Sequence, residues 1–293
     1  NINFKTLINK MLLFFTVIGL LGATPSGAGT ESDPYQIDSL DDLIWVSSNS
    51  ASWDNHFVQT SDIDASSTTS LNSGQGFLPI GNNDNFFTGT YDGGEHVISG
   101  IYINRPTVDG PALFGRLEGA HVHDLGVTDV NITGRHSVGS LASFINMGTL
   151  VERCYSTGVV HSRSGLYVGG FIAYTHGTSG SRSIISECYS SVDVHGYDDD
   201  GNSQATIGGF IGVHAQHSRI YNSYATGSVT VHGYDEQQLL TSFIGMDHFQ
   251  GGVYNSYATG LSTGAKTGWS RGGLIGSEVW QNFKNCYWDE ETT

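Results

Sequence analysis

The hexapeptide Asn-Ser-Tyr-Ala-Thr-Gly occurs twice in this chain, at residues 222–227 and again at 255–260. An identical segment that returns after a fixed interval indicates a repeated structural unit. Three related segments, VERCYSTG, ISECYSS and FKNCYWD, align with the two copies on their first tyrosine. The small residue before that tyrosine recurs every 30 to 35 positions, at Cys154, Cys188, Ser223, Ser256 and Cys286.

A second column is equally regular. The segments VGSLAS, VGGFIA, IGGFIG, LTSFIG and RGGLIG each place one large apolar residue at the same point of the unit. These residues are Leu141, Phe171, Phe210, Phe243 and Leu274. We predict that they stack as an inward core ladder, in which each fully buried side chain stabilises the fold by roughly 1.5–3 kcal/mol. The paired glycines before them are expected to let the backbone bend without a Cβ clash.

The units contain short β-favouring stretches bounded by small and polar residues, with no sustained helical period. The 40 glycines among 293 residues are about twice the usual share of roughly 7%. A unit of this size without a helix cannot bury its apolar face alone, whereas stacked coils share one continuous core. Equivalent residues of successive coils would then lie about 4.8 Å apart as parallel neighbours. We therefore predict an all-β fold, a β-solenoid.

From Gly29 onward the segments GTESDPYQIDSLDDLIWV, FLPIG, FTGTYDGGEHVISGIYI and ALFG follow one another, and NCYWDEETT comes after the repeats. This order of segments resembles the usual opening and close of the GLUG-motif repeat proteins, a secreted bacterial family. The resemblance implies a right-handed parallel β-helix. It implies little about activity, because the family is defined by its repeats and not by a catalytic residue. The chain has no H-E-x-x-H segment, so the zinc peptidase chemistry of the family's multidomain relatives is not expected here.

The amino-terminal segment is typical of a secretory signal peptide. An apolar run at 11–21 is followed by Ser26 and Ala28, small residues at the positions that a cleavage site requires. We predict residues 1–28 as this signal peptide, with a retained hydrophobic helix as the alternative. Membrane contact is expected only if residues 1–28 are retained.

Two further segments complete the predicted organisation. Residues 29–120 form an amino-terminal cap with the first coils, and residues 121–293 form the GLUG-like repeat coils. Ser39 with Asp42 three positions later resembles a capping box at the start of a short amphipathic helix. Such a helix would cover the open end of the first coil, since solenoids need an atypical terminal cap.

The charge balance disfavours one class of partner. Twelve Lys and Arg stand against 28 Asp and Glu, for a net charge of -16. Binding to nucleic acid requires clustered basic residues, so no nucleic acid partner is expected. Strong acidity also keeps an exported protein soluble through self-repulsion.

The segments HGYDDDGNSQ and HGYDEQQ place carboxylates on adjacent coils. Asp198, Asp200 and Asn202 have the alternate spacing of a calcium loop, and Asp235 would lie beside them. The Glu that an EF-hand carries twelve positions into the loop is missing, because Gly209 stands there. A solvated acidic loop is therefore expected, with Ca²⁺ as a possible ligand and no other cofactor. The same carboxylates would be the nucleus of a polysaccharide lyase or hydrolase, although no Lys or Arg occurs between Arg182 and Arg219 to assist a lyase.

Histidines and cysteines form shorter series. His161, His195 and His232 occupy similar points of three units, but a single column supplies a line of ligands and zinc needs three or four that converge. Exposed polar residues are the expected interpretation. Cys154 and Cys188 share a column in neighbouring coils, so a disulfide is conceivable. Because serine alternates with cysteine in that column, we favour reduced, packed thiols.

One tyrosine follows the small residue in each unit and should point outward by strand alternation. These residues are Tyr155, Tyr189, Tyr224, Tyr257 and Tyr287. Such a surface aromatic ladder could stack on sugar rings or a protein partner, or could simply cover the sheet.

The sequence thus predicts an exported, non-catalytic surface, adhesion or matrix module that presents a repetitive surface outside the cell or on its surface. Its expected partner is a surface glycan or a protein, with self-association as a further possibility. A β-helix enzyme acting on polysaccharide and an extracellular filament subunit that keeps its amino-terminal helix are the alternatives.

Overall fold

The chain winds into coils whose strands stack in four parallel sheets. The computed structural model describes residues 23–199, 201, 205–233, 238–248, 250–264, 270–276 and 282–289. These residues form a right-handed parallel β-helix of about six turns. All strand ladders among the described residues are parallel, and a full coil passes through the four sheets in turn.

The strands of each sheet follow the coil order. Sheet I contains Tyr35–Ile37, His56–Gln59, Thr90–Asp92, His121–His123, Leu150–Glu152, Ile184–Ser186, Arg219–Tyr221, Gly252–Tyr254 and Phe283–Lys284. Sheet II contains Val168–Gly169, Ala205–Gly208, Gln238–Thr241 and Ser270–Gly272. Sheet III contains Phe114–Glu118, Ala142–Asn146, Ile172–Thr175, Ile211–His214 and Ile244–Asp247. Sheet IV contains Ile63–Asp64, Val97–Ser99, Tyr102–Asn104, Gly126–Gly134, Tyr155–Ser162, Tyr189–Tyr197, Tyr224–Ala225, Val229–His232, Tyr257–Ala258, Ser262–Thr263 and Tyr287–Trp288.

The large apolar column lies in the interior of the coils. Phe171, Phe210 and Phe243 are fully buried, and their rings are stacked with centroids 5.1 and 5.0 Å apart and planes within 5° of parallel. Their backbone continues the contact, because the amide of Phe171 donates to Phe210 O at 2.9 Å and the amide of Phe210 donates to Phe243 O at 2.9 Å. Leu141 is also fully buried, whereas Leu274 is 8% exposed.

The small column is buried beside it, and its chemistry explains why cysteine and serine interchange. The amide of Cys154 donates to Cys188 Sγ at 3.4 Å, and the amide of Cys188 donates to Ser223 Oγ at 3.3 Å. Each of these side chains donates in turn to the carbonyl two residues earlier, as Ser223 Oγ does to Tyr221 O at 2.7 Å. The position therefore requires a small side chain that both donates and accepts. All three cysteines are free.

The residue before the small column turns the corner between sheets I and IV. It has a left-handed backbone at Asn222, Asn255 and Asn285, with φ of 49°, 49° and 55°. Asparagine tolerates this conformation better than most residues. Its side chains also form a ladder, because Asn255 Nδ2 donates to Asn222 Oδ1 at 3.1 Å and Asn285 Nδ2 donates to Asn255 Oδ1 at 2.9 Å.

Paired glycines precede the phenylalanines for a different reason from the bend that we expected. Gly170 does not have a positive φ, and a Cβ there would stand 2.1 Å from Gly209 O in the next coil. A Cβ at Gly209 would likewise stand 2.3 Å from Ser242 O. The pair is required by close approach between successive backbones.

A short α-helix, Leu40–Ser48, covers the first coils, and the predicted pair Ser39 and Asp42 caps its amino terminus, with the amide of Asp38 in place of that of Ser39 donating to Asp42 Oδ2. Ser39 Oγ accepts from the amide of Asp42 at 3.3 Å and donates to Asp42 Oδ2 at 2.6 Å. Leu43 and Val46 are buried against the core, and Trp45 is 9% exposed beside Tyr35, with ring centroids 5.2 Å apart. The helix thus places its apolar face on the open end of the solenoid.

Within the described residues, no helix is both long and apolar enough to cross a membrane. The segment 1–22, which carries most of the predicted signal peptide, lies outside those residues.

Candidate functional site

The outward tyrosines of sheet IV form a stacked ladder. The rings of Tyr155 and Tyr189 lie 4.9 Å apart, those of Tyr189 and Tyr224 4.8 Å, and those of Tyr224 and Tyr257 5.0 Å, with planes within 6° of parallel. Tyr287 is in strand register with Tyr257 and is 67% exposed. We name this row, Tyr155, Tyr189, Tyr224, Tyr257 and Tyr287, the tyrosine ladder.

The stacking determines which atoms the tyrosine ladder offers to a partner. Because each inner ring is covered on both faces by its neighbours, sugar rings cannot stack on those faces. The ring edges and hydroxyls remain, in a row with the spacing of the coils. Burial, and then the neighbouring tyrosines, raise the pKa of Tyr189 and Tyr224. Their hydroxyls are therefore protonated donors at neutral pH.

The amino-terminal end of the tyrosine ladder meets a charged cluster. A Cβ at Gly126 would stand 2.6 Å from the ring of Tyr155, so glycine leaves room for that ring. Beside it, Arg153 Nε and Nη2 donate to the two carboxylate oxygens of Asp124 at 2.6 and 2.9 Å. The Arg153 hydrogen bonds, opposed by burial and helped by His123, lower the pKa of Asp124 to about 2.

This cluster contains a group of potential metal ligands that sequence reasoning missed. Donor atoms of Asp92, His123 and Asp124 all lie within 4.8 Å of one another. However, His123 Nδ1 lies 2.7 Å from Asp124 Oδ2, and that carboxylate is already bound by Arg153. A cation would have to displace the guanidinium, so we assign Asp124 to the ion pair. The register of the strands Thr90–Asp92 and His121–His123 brings Asp92 beside His123, which a column count from the repeat could have found.

The predicted acidic patch is only partly within the described residues. Asp198 is half-buried, whereas Asp200, Asn202 and Asp235 lie outside the described residues. The calcium site therefore stays a prediction. Next to Asp198, Arg163 Nη2 pairs with Asp199 Oδ2 at 2.5 Å, and its guanidinium lies 4.6 Å from the centre of the Tyr197 ring. A cation from the preceding coil thus reaches the patch, which the sequence interval alone did not show.

The histidine series is offset from the arrangement that we expected. His161 and His195 are in register, and their rings stack with centroids 5.1 Å apart. His232, however, is in register with Tyr197, and those two rings stack at 4.7 Å. Burial first, and then neighbouring positive groups, lower the pKa of His161 and His195. The three histidines thus form a stacked row on the surface of the coils.

A second pair that sequence reasoning missed lies inside the solenoid. His214 and Asp247 are 0% and 1% exposed, and His214 Nδ1 lies 2.6 Å from Asp247 Oδ1. Their other polar atoms, His214 Nε2 and Asp247 Oδ2, are buried without a hydrogen-bond partner in the described chain. Both residues stand four positions after a phenylalanine of the core ladder, and that count is the signal that could have found them.

The comparisons with known proteins agree with this architecture. The GLUG motif family matches residues 203–230. Over 180 residues the chain is 38% identical to halomucin of Haloquadratum walsbyi, and this alignment covers 59% of this chain and 2% of halomucin. Over 145 residues it is 28% identical to the immunoglobulin A1 protease of Streptococcus pneumoniae, and this alignment covers 40% of this chain and 7% of the protease. The chain therefore spans a small fraction of these curated relatives.

Two solved structures share the fold. A crystal structure of a candidate immunoglobulin A1 protease from Bacteroides ovatus superposes with a TM-score of 0.66 at 22% identity, over 89% of this chain and 76% of that one. A structure named IgA1 Protease gives a TM-score of 0.66 at 20% identity, over 86% of this chain and 19% of that one. At these identities the likeness shows the fold alone. The parallel β-helix and the GLUG-motif resemblance are both confirmed.

Proposed function

We propose that this GLUG-motif repeat chain is a non-catalytic exported module that presents a repetitive β-helix surface as an adhesion, cell-surface or matrix element. The tyrosine ladder carries this proposal. Four of its rings are stacked at 4.8–5.0 Å, so that the winding of the coils repeats one chemical group along an exposed face. A repetitive surface of this kind suits contact with a repetitive or extended partner, such as a surface glycan or a protein.

The names of two relatives support an extracellular setting. Halomucin and the Streptococcus pneumoniae relative, which is named as an immunoglobulin A1 protease, are surface or secreted proteins. Each contains this kind of segment as a small part of a much longer chain. We infer that the segment contributes a surface to such proteins.

The electrostatics of the chain fit the same role. A net charge of -16 favours solubility and disfavours contact between copies. The cationic side chain beside the acidic patch, Arg163, already forms an ion pair with Asp199 and lies against the ring of Tyr197. A polysaccharide-cleaving activity that uses Asp198 and Asp235 therefore becomes an outcome of the test and is not our proposal.

The first experiment follows location and turnover. Cells that make the full chain are fractionated and treated with external protease, and the purified chain is incubated with acidic and neutral polysaccharides. We expect the protein in the surface or culture fraction, and no new reducing ends or unsaturated uronides. Retention in the cytoplasm would refute export. Turnover that Asp198→Asn with Asp235→Asn abolishes, at unchanged circular dichroism, would establish the enzyme alternative.

The second experiment isolates the tyrosine ladder. Replacing Tyr189 and Tyr224 by phenylalanine removes two hydroxyls and keeps the stacked rings. We expect weaker retention of the purified chain on envelope or matrix material from the producing cells. Tyr221 and Tyr254 form a matched control, because their rings stack at 4.9 Å on sheet I. Equal retention of the wild type and both double variants would refute a binding role for the tyrosine ladder.

A further inference from the structure

A cleft of about 420 Å³ opens among the early coils, away from the tyrosine ladder. Segments 78–84 and 105–111 form its walls, and Gly115, Arg116 and Ser137 complete its lining. Its volume lies within the usual range for sites that bind small molecules, roughly 300–1,000 Å³. Its lining is mixed, with Leu78, Pro79, Val108 and Pro111 offering apolar surface beside two guanidiniums.

The two guanidiniums of the cleft have no carboxylate partner among the described residues, unlike several other arginines. Arg135, Arg153 and Arg163 form ion pairs with Asp109, Asp124 and Asp199, respectively. Arg105 instead donates through Nη1 to the amide oxygen of Gln75 at 3.0 Å, while its Nε and Nη2 are buried without a hydrogen-bond partner. Arg116 lies with its guanidinium carbon 4.8 Å from the centre of the Phe144 ring.

This lack of partners is unusual in a chain with 28 acidic and 12 basic residues. Asp109 lines the same cleft, but both of its oxygens accept from Arg135 at 2.8 Å. The remaining lining carboxylate, Asp84, is exposed. Burial lowers the pKa of Arg105 and of Arg116, so each cation is partly desolvated. Desolvated donors without partners are unfavourable, and an anion in the cleft would relieve that cost.

We propose that this cleft binds a carboxylate-bearing sugar, with Arg105 and Arg116 holding the carboxylate. The planar guanidinium fork matches the two oxygens of a carboxylate. The Nε and Nη2 edge of Arg105, which has no partner in the described chain, would turn toward the ligand about the terminal torsions of the side chain. The prolines and Val108 then pack on the C–H face of a pyranose ring, and the side chains of Asn82 and Asn83 lie at the cleft to meet hydroxyls. This inference adds a ligand class to the surface module proposed above. It rests on that proposed function only in assuming that the chain binds a partner.

The test is calorimetric titration of the full chain with digalacturonate. Galactobiose is the neutral control, and sodium sulfate is the simple anion. We expect digalacturonate to bind, galactobiose to give no heat, and sulfate to bind at least tenfold more weakly. Arg105→Gln and Arg116→Gln should each weaken digalacturonate binding by about tenfold to a hundredfold, the effect of losing one charge-assisted contact. Arg219→Gln removes an arginine outside the cleft whose guanidinium donates to the backbone carbonyls of Ser218 and Gln250, and it should leave the affinity unchanged.

A further variant protects the test against misfolding. Val108 is 45% exposed at the cleft, so Val108→Trp should fill the cleft without disturbing the core and should abolish binding. The proposal is overturned if digalacturonate does not bind, if sulfate binds equally well, or if Arg105→Gln and Val108→Trp both bind like the wild type in their folded state. A chain that is exported but does not bind digalacturonate would keep the surface-module proposal. A chain that stays in the cytoplasm but binds digalacturonate would refute the surface-module proposal and keep the sugar-binding cleft.

Discussion

Replacing Phe210 by alanine tests the central feature of the fold, the core ladder. Phe210 is fully buried between two phenylalanines at 5.1 and 5.0 Å. Truncation removes the buried ring, two stacking contacts and the packing around them. A substitution of this kind usually costs about 3–5 kcal/mol, including the cavity that remains. The upper part of that range is expected here, because the coils above and below are held by their own hydrogen bonds and cannot collapse into the space.

Tyr224→Ala is the matched control. Tyr224 also stacks between two like rings, at 4.8 and 5.0 Å, but on the half-exposed outer face of sheet IV. Since cross-strand pairs on a sheet surface contribute about 0.2–1 kcal/mol each, the loss of two should cost about 0.4–2 kcal/mol. The difference between the two variants therefore reports burial, with the number of stacked neighbours held constant.

Urea denaturation followed by circular dichroism and tryptophan fluorescence measures both costs. Solenoids can unfold region by region, so amide hydrogen exchange at Phe171 and Phe210 should accompany it, as both amides donate to the next coil. We expect faster exchange at these amides in Phe210→Ala and little change in Tyr224→Ala. Equal destabilisation by the two substitutions would refute the claim that the phenylalanine column, and not the surface stacking, holds the coils together.

Three further predictions concern the remaining columns. Cys188→Ser should lower the free energy of unfolding by less than about 1 kcal/mol, whereas Cys188→Ala should lower it by about 1–3 kcal/mol because it leaves the amide of Cys154 without its acceptor. A higher urea midpoint for the alanine variant than for the serine variant would contradict the hydrogen-bonded column. Asn255→Ala should cost about 1–2 kcal/mol at a φ of 49°, and Asn255→Gly should cost less in the same assay, since glycine removes the backbone strain and loses only the amide ladder. The depressed pKa of His161 and of His195 means that their contribution to stability is complete above the unfolded value near 6.5 and is lost as the pH falls through the lower folded values. His195→Gln should flatten the fall in urea midpoint between pH 7 and 5, and an NMR titration that places the pKa of His195 at or above 6.5 would contradict this account.

The repeated hexapeptide shows how far the sequence could predict the fold. Its spacing and its large apolar partners were sufficient for the solenoid, because equal spacing places like residues in register. The structure adds a reason for the other positions. Asparagine occupies the left-handed corner, serine accepts and donates inside, and tyrosine stacks outside. Alanine is buried, and glycine is required at 227 because a Cβ there would stand 2.0 Å from Val192 O.

The sites were harder to predict, for two physical reasons. Register depends on the length of each coil. Tyr189 pairs with Tyr224, an offset of 35, so His195, 37 positions before His232, is not in strand register with it, although their rings still stack at 5.7 Å. A buried polar pair such as His214 and Asp247 breaks the apolar pattern by which core positions are recognised. The position of His214 and Asp247 could have been counted from the core ladder, whereas the offset of the histidines becomes visible only with the strand register of the structure.

The candidate sites lie at the ends of columns, and this placement follows from the fold itself. Within a column each side chain meets a like neighbour on both sides, which leaves few groups without a partner. An end member lacks one neighbour and meets unlike residues. Arg116 is in register with Phe144, which stacks on Tyr174 at 5.0 Å, so the guanidinium ends an aromatic column and faces the cleft on its other side. Arg153 stands in the same way beside Tyr155, at the end of the tyrosine ladder. Binding chemistry in this solenoid is therefore expected where its repeats change, while the regular coils supply rigidity and a uniform surface.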